Sequence, residues 1–287
     1  MKNGLMRIAV MVMVMLGVSP YVSAGGRLLA TGGISQIEGA AGGGIVPWAL
    51  IAGYGTRDEV GATAFYTHLD ISNFQLQSAG IAIGVHDRVE VSYARQRLGL
   101  GSTVPGQSIE QDIVGLKLKI TGDAVFAQDS WQPQFAVGVQ YKHNRDFDGV
   151  PRLLGAKDDT GLDIYMSATK LYMAGVLGRN LLLNATVRGT RANQMGLLGF
   201  GGDISNRYSA QFEGSAAIFL NDHVAIGLEY RTKPNNLSVF REDDYQDVFI
   251  ACLPNKKLAL TLAYAQLGTI ANQPDQTAVY ASVQFSH

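Results

Sequence analysis

The residues best able to do chemistry in this chain are polar side chains that stand opposite apolar runs. Glu90, Lys117, Lys119, Gln140, Lys142, Asp163, Arg188, Gln211, Glu213, Glu229, Arg231 and Gln284 all follow this pattern. In an extended strand successive side chains point to opposite faces, so these residues share a wet face while Val, Leu, Ile and Tyr share the other. Enclosed by a sheet, such a row either lines a water-filled path and sets its ion preference or pairs internally and fills the space. The alternation leaves both readings open.

Catalytic signatures are lacking. There is no H-E-x-x-H, no G-x-S-x-G, no Walker loop and no G-x-G-x-x-G after a strand. His68, His86, His143, His223 and His287 fall at strand ends or turns, and no pair has metal-ligand spacing. A lipid-cleaving enzyme would need a Ser within hydrogen-bond reach of a His. His143 with Ser167 or Ser209 is the pairing to consider, without a local motif behind it. The expectation is no catalytic residue, no cofactor and no metal. The single Cys252 excludes an intramolecular disulfide framework and a multi-Cys zinc site. With 23 Lys plus Arg against 24 Asp plus Glu, there is no basic excess for nucleic acid.

The elements that must position the polar row are strands. Charged residues are 16% of the chain and glycines number 34 of 287 residues, a balance that suits many strands joined by tight turns. Residues 1–24 read as a cleavable signal peptide: Lys2 and Arg7 precede an apolar run, and Val22-Ser23-Ala24 ends it with the small-residue pattern of a cleavage site. After Ala24 no apolar run approaches the 18 or so residues of a transmembrane helix. Residues 25–287 then form one domain.

Period-two alternation recurs through that domain. Val114, Leu116, Leu118 and Ile120 oppose Lys117 and Lys119; Val224, Ile226, Leu228 and Tyr230 oppose Glu229 and Arg231. Short connections at Arg57–Glu59, His86–Asp87, Asn221–Asp222 and Pro254–Lys256 alternate with longer ones near residues 100, 150, 200, 240 and 270, as in barrels with short periplasmic turns and long external loops. The connections at 122–131 and 174–179 are longer than that scheme favours. Trp48, Tyr54, Tyr93, Tyr141, Tyr208, Tyr230 and Tyr264 end apolar faces and suit an interfacial girdle. The last stretch, QTAVYASVQFSH, puts Val279, Ala281, Val283 and Phe285 on one face and resembles the closing strand of bacterial outer-membrane barrels.

Glu38–Thr67, EGAAGGGIVPWALIAGYGTRDEVGATAFYT, resembles the signature region of a bacterial family known as domain of unknown function 3034 (DUF3034). Gln111–Ile120 and Gln132–Lys142 are similar to it too, so the resemblance covers most of the mature chain. It implies an outer-membrane β-barrel-like fold and carries over no functional residue.

The sequence therefore predicts an all-β protein, an antiparallel up-and-down transmembrane barrel. Fourteen strands are the favoured count, with residues 27–38 and 48–56 joining the wall; twelve is the alternative, with residues 25–56 forming a plug or external hairpin. Closure is required because lipid satisfies no free strand edge. The function expected is a passive channel or uptake protein for small solutes, in the outer membrane of a Gram-negative bacterium. Its partners would be outer-membrane lipids, the barrel-assembly machinery during biogenesis, and the solutes themselves. A lipid-modifying enzyme and a soluble periplasmic ligand-binding barrel are the alternatives.

Overall fold

Period-two patterning carries directly into a wall of twelve strands in the computed structural model, which describes residues 27–287. The leader expected at 1–24 lies outside the described residues. Two short strands come first, β1 (Ile34–Ser35) and β2 (Ala41–Gly42), paired with each other and not with the wall. The wall follows as β3 (Val60–Ile71), β4 (Gln75–Val85), β5 (Val89–Gly99), β6 (Ser108–Thr121), β7 (Gln134–Asn144), β8 (Thr160–Val176), β9 (Arg179–Thr190), β10 (Ser209–Asn221), β11 (Val224–Arg231), β12 (Tyr245–Asn255), β13 (Leu258–Ile270) and β14 (Gln273–Ser286). Each strand is antiparallel to the next, and β14 closes on β3 with Phe285 opposite Ala64 and Tyr280 opposite Leu69. Closure pairs both edges that an open sheet would leave bare.

The connections sort to two ends. At one end, with the C-terminus, turns at 86–88, 177–178, 222–223 and 256–257 are tight, while 122–133 is long. Leu177–Gly178 is a two-residue turn because β8 runs on to Val176, shorter than the sequence suggested. The other end carries 100–107, 145–159 with a helical turn α1 (Val150–Leu153), 191–208 and 232–244. The expected long loop near 270 is instead the two-residue turn Ala271–Asn272. Both residues have positive φ, 45° and 63°, the mirror-image geometry whose twist matches a β-hairpin.

Side chains alternate through the wall as the pattern requires. On β5, Val91 and Tyr93 are exposed outside while Glu90, Ser92 and Ala94 are buried inside; on β11, Ile226, Leu228 and Tyr230 face out and Glu229 and Arg231 face in. The outer face is a continuous apolar belt, the reverse of a water-soluble protein.

The wall has twelve strands, not the fourteen favoured from sequence. Residues 27–38 and 48–56 do not join it. Every residue from Thr31 to Gly55 is buried, and the segment runs up inside the barrel from the turn end and back down to β3. The reason lies in its composition. Trp48, Leu50, Ala52 and Tyr54 alternate with Ala49, Ile51, Gly53 and Gly55, so neither face is polar. A wall strand needs one wet face; this segment is suited to burial on all sides. Trp48 and Tyr54 accordingly leave the expected girdle, and the Trp48 indole donates to Ser215 Oγ inside the barrel at 2.9 Å. Tyr93, Tyr141, Tyr208, Tyr230 and Tyr264 remain on the outer surface.

From the opposite end, Ala192–Gly202 of the β9–β10 loop folds into the mouth and is buried throughout. Gln194 and Met195 hold left-handed backbone at its tip. Lys142 Nζ and the amide of Gln111 both donate to the carbonyl of Met195.

Candidate functional site

The barrel interior is the site, and a belt of charges towards the loop end is its centre. Strands β7, β8, β9, β10 and β11 each contribute one ionisable side chain to it: Lys142, Asp163, Arg188, Glu213 and Arg231. Into this belt the inserted segment places Glu38. Its carboxylate accepts from Lys142 and, at 2.6 Å, from Arg231 Nη1, with Arg188 Nη2 at 3.8 Å. Lys142 Nζ also reaches Asp163 at 2.7 Å. Arg188 contacts Asp163 at 3.3 Å, donates to Gln140 Oε1 at 2.7 Å and forks onto Glu213. Arg231 Nε lies 3.4 Å from Glu213, and Arg188 stacks over Tyr165 at 5.1 Å. Three cations face three carboxylates in a space closed to solvent, the condition under which burying charge is tolerated.

A second clamp ties the returning arm. Lys117 Nζ donates to the carbonyls of Ala41 and Leu50, both at 2.9 Å, and to Glu90 at 3.1 Å. Glu90 in turn accepts from the amides of Ala41 and Ala52 at 3.1 and 2.9 Å. Both residues thus satisfy backbone groups that an irregular buried segment cannot pair by itself. The carbonyl of Pro47 accepts from Ser167 and Thr186, and the amide of Ala49 donates to Thr169. On the far wall Glu229 accepts from the amide of Ile45 at 2.7 Å and from Ser215. A Cβ on Gly43 would lie 1.9 Å from Glu229 Oε1, so any side chain there would have to displace the Glu229 carboxylate from the Ile45 amide.

Of the residues singled out from sequence, eleven are buried within the barrel. Lys142, Asp163, Arg188, Glu213, Arg231 and Gln140 meet around Glu38; Glu90 and Lys117 form the clamp. Glu229 and Gln284 hold other parts of the insert, Gln284 accepting from Ser35 Oγ. Gln211 lies near the loop end, bonded to Thr232. Lys119 is half-buried at the turn end, 2.8 Å from Asp87, which also pairs with Arg27. They are therefore partners of a buried segment rather than the rim of an empty tube. Glu38 escaped the sequence reading, although it is the only acidic residue between Gly25 and Arg57. A lone carboxylate in an apolar, glycine-rich stretch is itself a sign of a buried partner.

The Ser–His alternative has no geometry. Ser167 faces the interior and bonds Thr186 and Pro47, while His143 is exposed on the outer side of the wall near Asp159. Ser209 is on β10, with β8 and β9 between it and the strand of His143. Among the described residues no group of His, Cys, Asp and Glu could hold a metal ion.

Outside the belt, the loop-end pair Lys233 and Glu242 lies 3.1 Å apart. Burial pushes the Glu242 carboxyl up to about 6 despite Lys233, and burial lowers Lys233.

Known structures share this architecture. The KdgM porin superposes with a TM-score of 0.52 at 11% identity, covering 78% of this chain and 99% of that chain. The NanC porin gives 0.51 at 11% identity, covering 78% and 98%. A structure of the KdgM porin in complex with disordered oligogalacturonate gives 0.51, also at 11%. At this identity the likeness is one of fold, the porin barrel. No curated protein sequence matches the chain. The family model for proteins of unknown function designated DUF3034 matches residues 31–284, and the chain belongs to that family.

Proposed function

We propose that this protein is an outer-membrane β-barrel acting as a passive uptake channel for small solutes, held closed in this conformation by residues 31–55. The observation that carries the reading is the inverted wall, with an unbroken apolar belt outside and titratable side chains inside a closed barrel. Such a surface belongs in hydrocarbon, where a barrel satisfies every backbone group. The turn end then faces the periplasm and the loop end the exterior. Lipids contact the belt, the barrel-assembly machinery inserts it, and passage rather than catalysis is its role. The porin likeness in fold agrees with this.

The test is planar-bilayer recording of the purified chain in KCl, alongside Gly43→Val, whose side chain would push the Glu229 carboxylate off the insert. Infrequent steps from the wild type and longer openings from the variant are expected. Silence from both across a wide voltage range would overturn the channel. Extraction of the exported protein by plain buffer would overturn its membrane location.

A further inference from the structure

The belt is unbalanced without the insert. Lys142, Arg188 and Arg231 on the wall face only Asp163 and Glu213, and the third carboxylate is Glu38 from the tip of the inserted segment. Removing that tip would leave one uncompensated positive charge in a site built of two guanidinium forks and an ammonium. Guanidinium forks match carboxylate geometry, and charge-assisted contacts of this kind are among the strongest polar interactions available. Glu38 is held by all three cations, and its loop is tied besides by Lys117 on the Ala41 carbonyl, Glu90 on the Ala41 amide and Arg231 on the Ile45 carbonyl. The carbonyl of Ile37 accepts from Ser78 and Gln96, and the amide of Ile45 donates to Glu229. Gly39, with φ of 100°, and the run Gly42–Gly44 make the tip easy to refold.

We propose that Glu38 occupies, within its own chain, a carboxylate-binding site of the lumen, and that small solutes bearing a carboxylate compete for it and unseat the tip at residues 36–45. This names the solute class for the channel proposed above and rests on that reading for its role in uptake. The insert is then both gate and stand-in for the solute.

Trp48 reports the tip. It is buried against Ser215, which bonds the same Glu229 that holds Ile45. The other tryptophan, Trp131, is exposed at the turn end and is removed by Trp131→Phe. In detergent micelles, succinate should red-shift Trp48 emission saturably, while neutral succinamide and equal ionic strength of NaCl should not. Glu38→Gln should lower the half-effect concentration about tenfold, the order set by losing a charged hydrogen bond. Arg231→Gln and Lys142→Gln should each abolish the response; two variants guard against one failing to fold. A succinate response no larger than that of succinamide, or a wild-type response in both belt variants, overturns the carboxylate site. Bilayer recording of the same preparation separates the two proposals. Conductance steps without an emission response leave the channel and remove the carboxylate site, and a response without steps does the reverse.

Discussion

Replacing Lys117 by methionine tests whether the insert is clamped to the wall by charge. Methionine keeps much of the length of the side chain but removes the ammonium. Glu90 would keep the amides of Ala41 and Ala52 yet lose the cation it pairs with, and the carbonyls of Ala41 and Leu50 would lose a donor. Both side chains are about 1% exposed, so solvent screens little of the loss. Breaking a buried pair in this way costs about 3–5 kcal/mol. At slopes of about 1–3 kcal/mol per M of urea, the unfolding midpoint in micelles should fall by roughly 1–5 M. Adding Glu90→Gln removes the stranded charge and should recover most of that, leaving about 1–2 kcal/mol for the weakened hydrogen bonds. Trp48 emission follows the insert directly, because its indole bonds the wall at Ser215. A stability of Lys117→Met within about 0.5 kcal/mol of wild type, or simple additivity of the two changes within that margin, would refute the charge clamp.

Charge reversal at Lys117 or Arg188 should shift the reversal potential of any measured current towards cations, since both side chains face the lumen. Leu228→Arg, on the lipid face of β11 opposite Val248, should cost about 2–4 kcal/mol if it lies near the bilayer midplane and slow insertion into vesicles; a soluble protein would tolerate it. At the loop end, Glu242 has a carboxyl pushed up to about 6 from an ordinary value of 4.5. Its folded form therefore holds the proton more tightly, so this group's contribution is fully present below about 4.5 and is lost as pH rises through about 6. Stability should fall across that window by up to about 2 kcal/mol from this group alone, and Glu242→Gln should flatten the difference between pH 4.5 and pH 7 unfolding curves.

Much of the wall was legible because period-two alternation is local. Val114 to Ile120 against Lys117 and Lys119 needs only the geometry of one strand, and the same holds for β11 and for the closing strand. The turn at Ala271–Asn272 reads as a loop in the sequence because Gly268 and Pro274 are turn-favouring residues, yet both lie inside strands here. The girdle was over-counted by Trp48 and Tyr54, since an aromatic after apolar positions reads the same whether it meets lipid or a neighbouring strand. The wet face was found, but its purpose was not: Arg188 and Arg231 look alike in a lumen with water and in one filled by protein.

By itself the sequence determined which way each wall strand faces and that the sheet must close, because a side chain's face follows from its place along one strand. The tertiary structure alone decided that residues 31–55 fill the interior and that Glu38 completes a charge belt with Arg231, 193 positions away. That pairing depends on volume and charge balance summed across five strands, quantities that no stretch of the chain holds on its own.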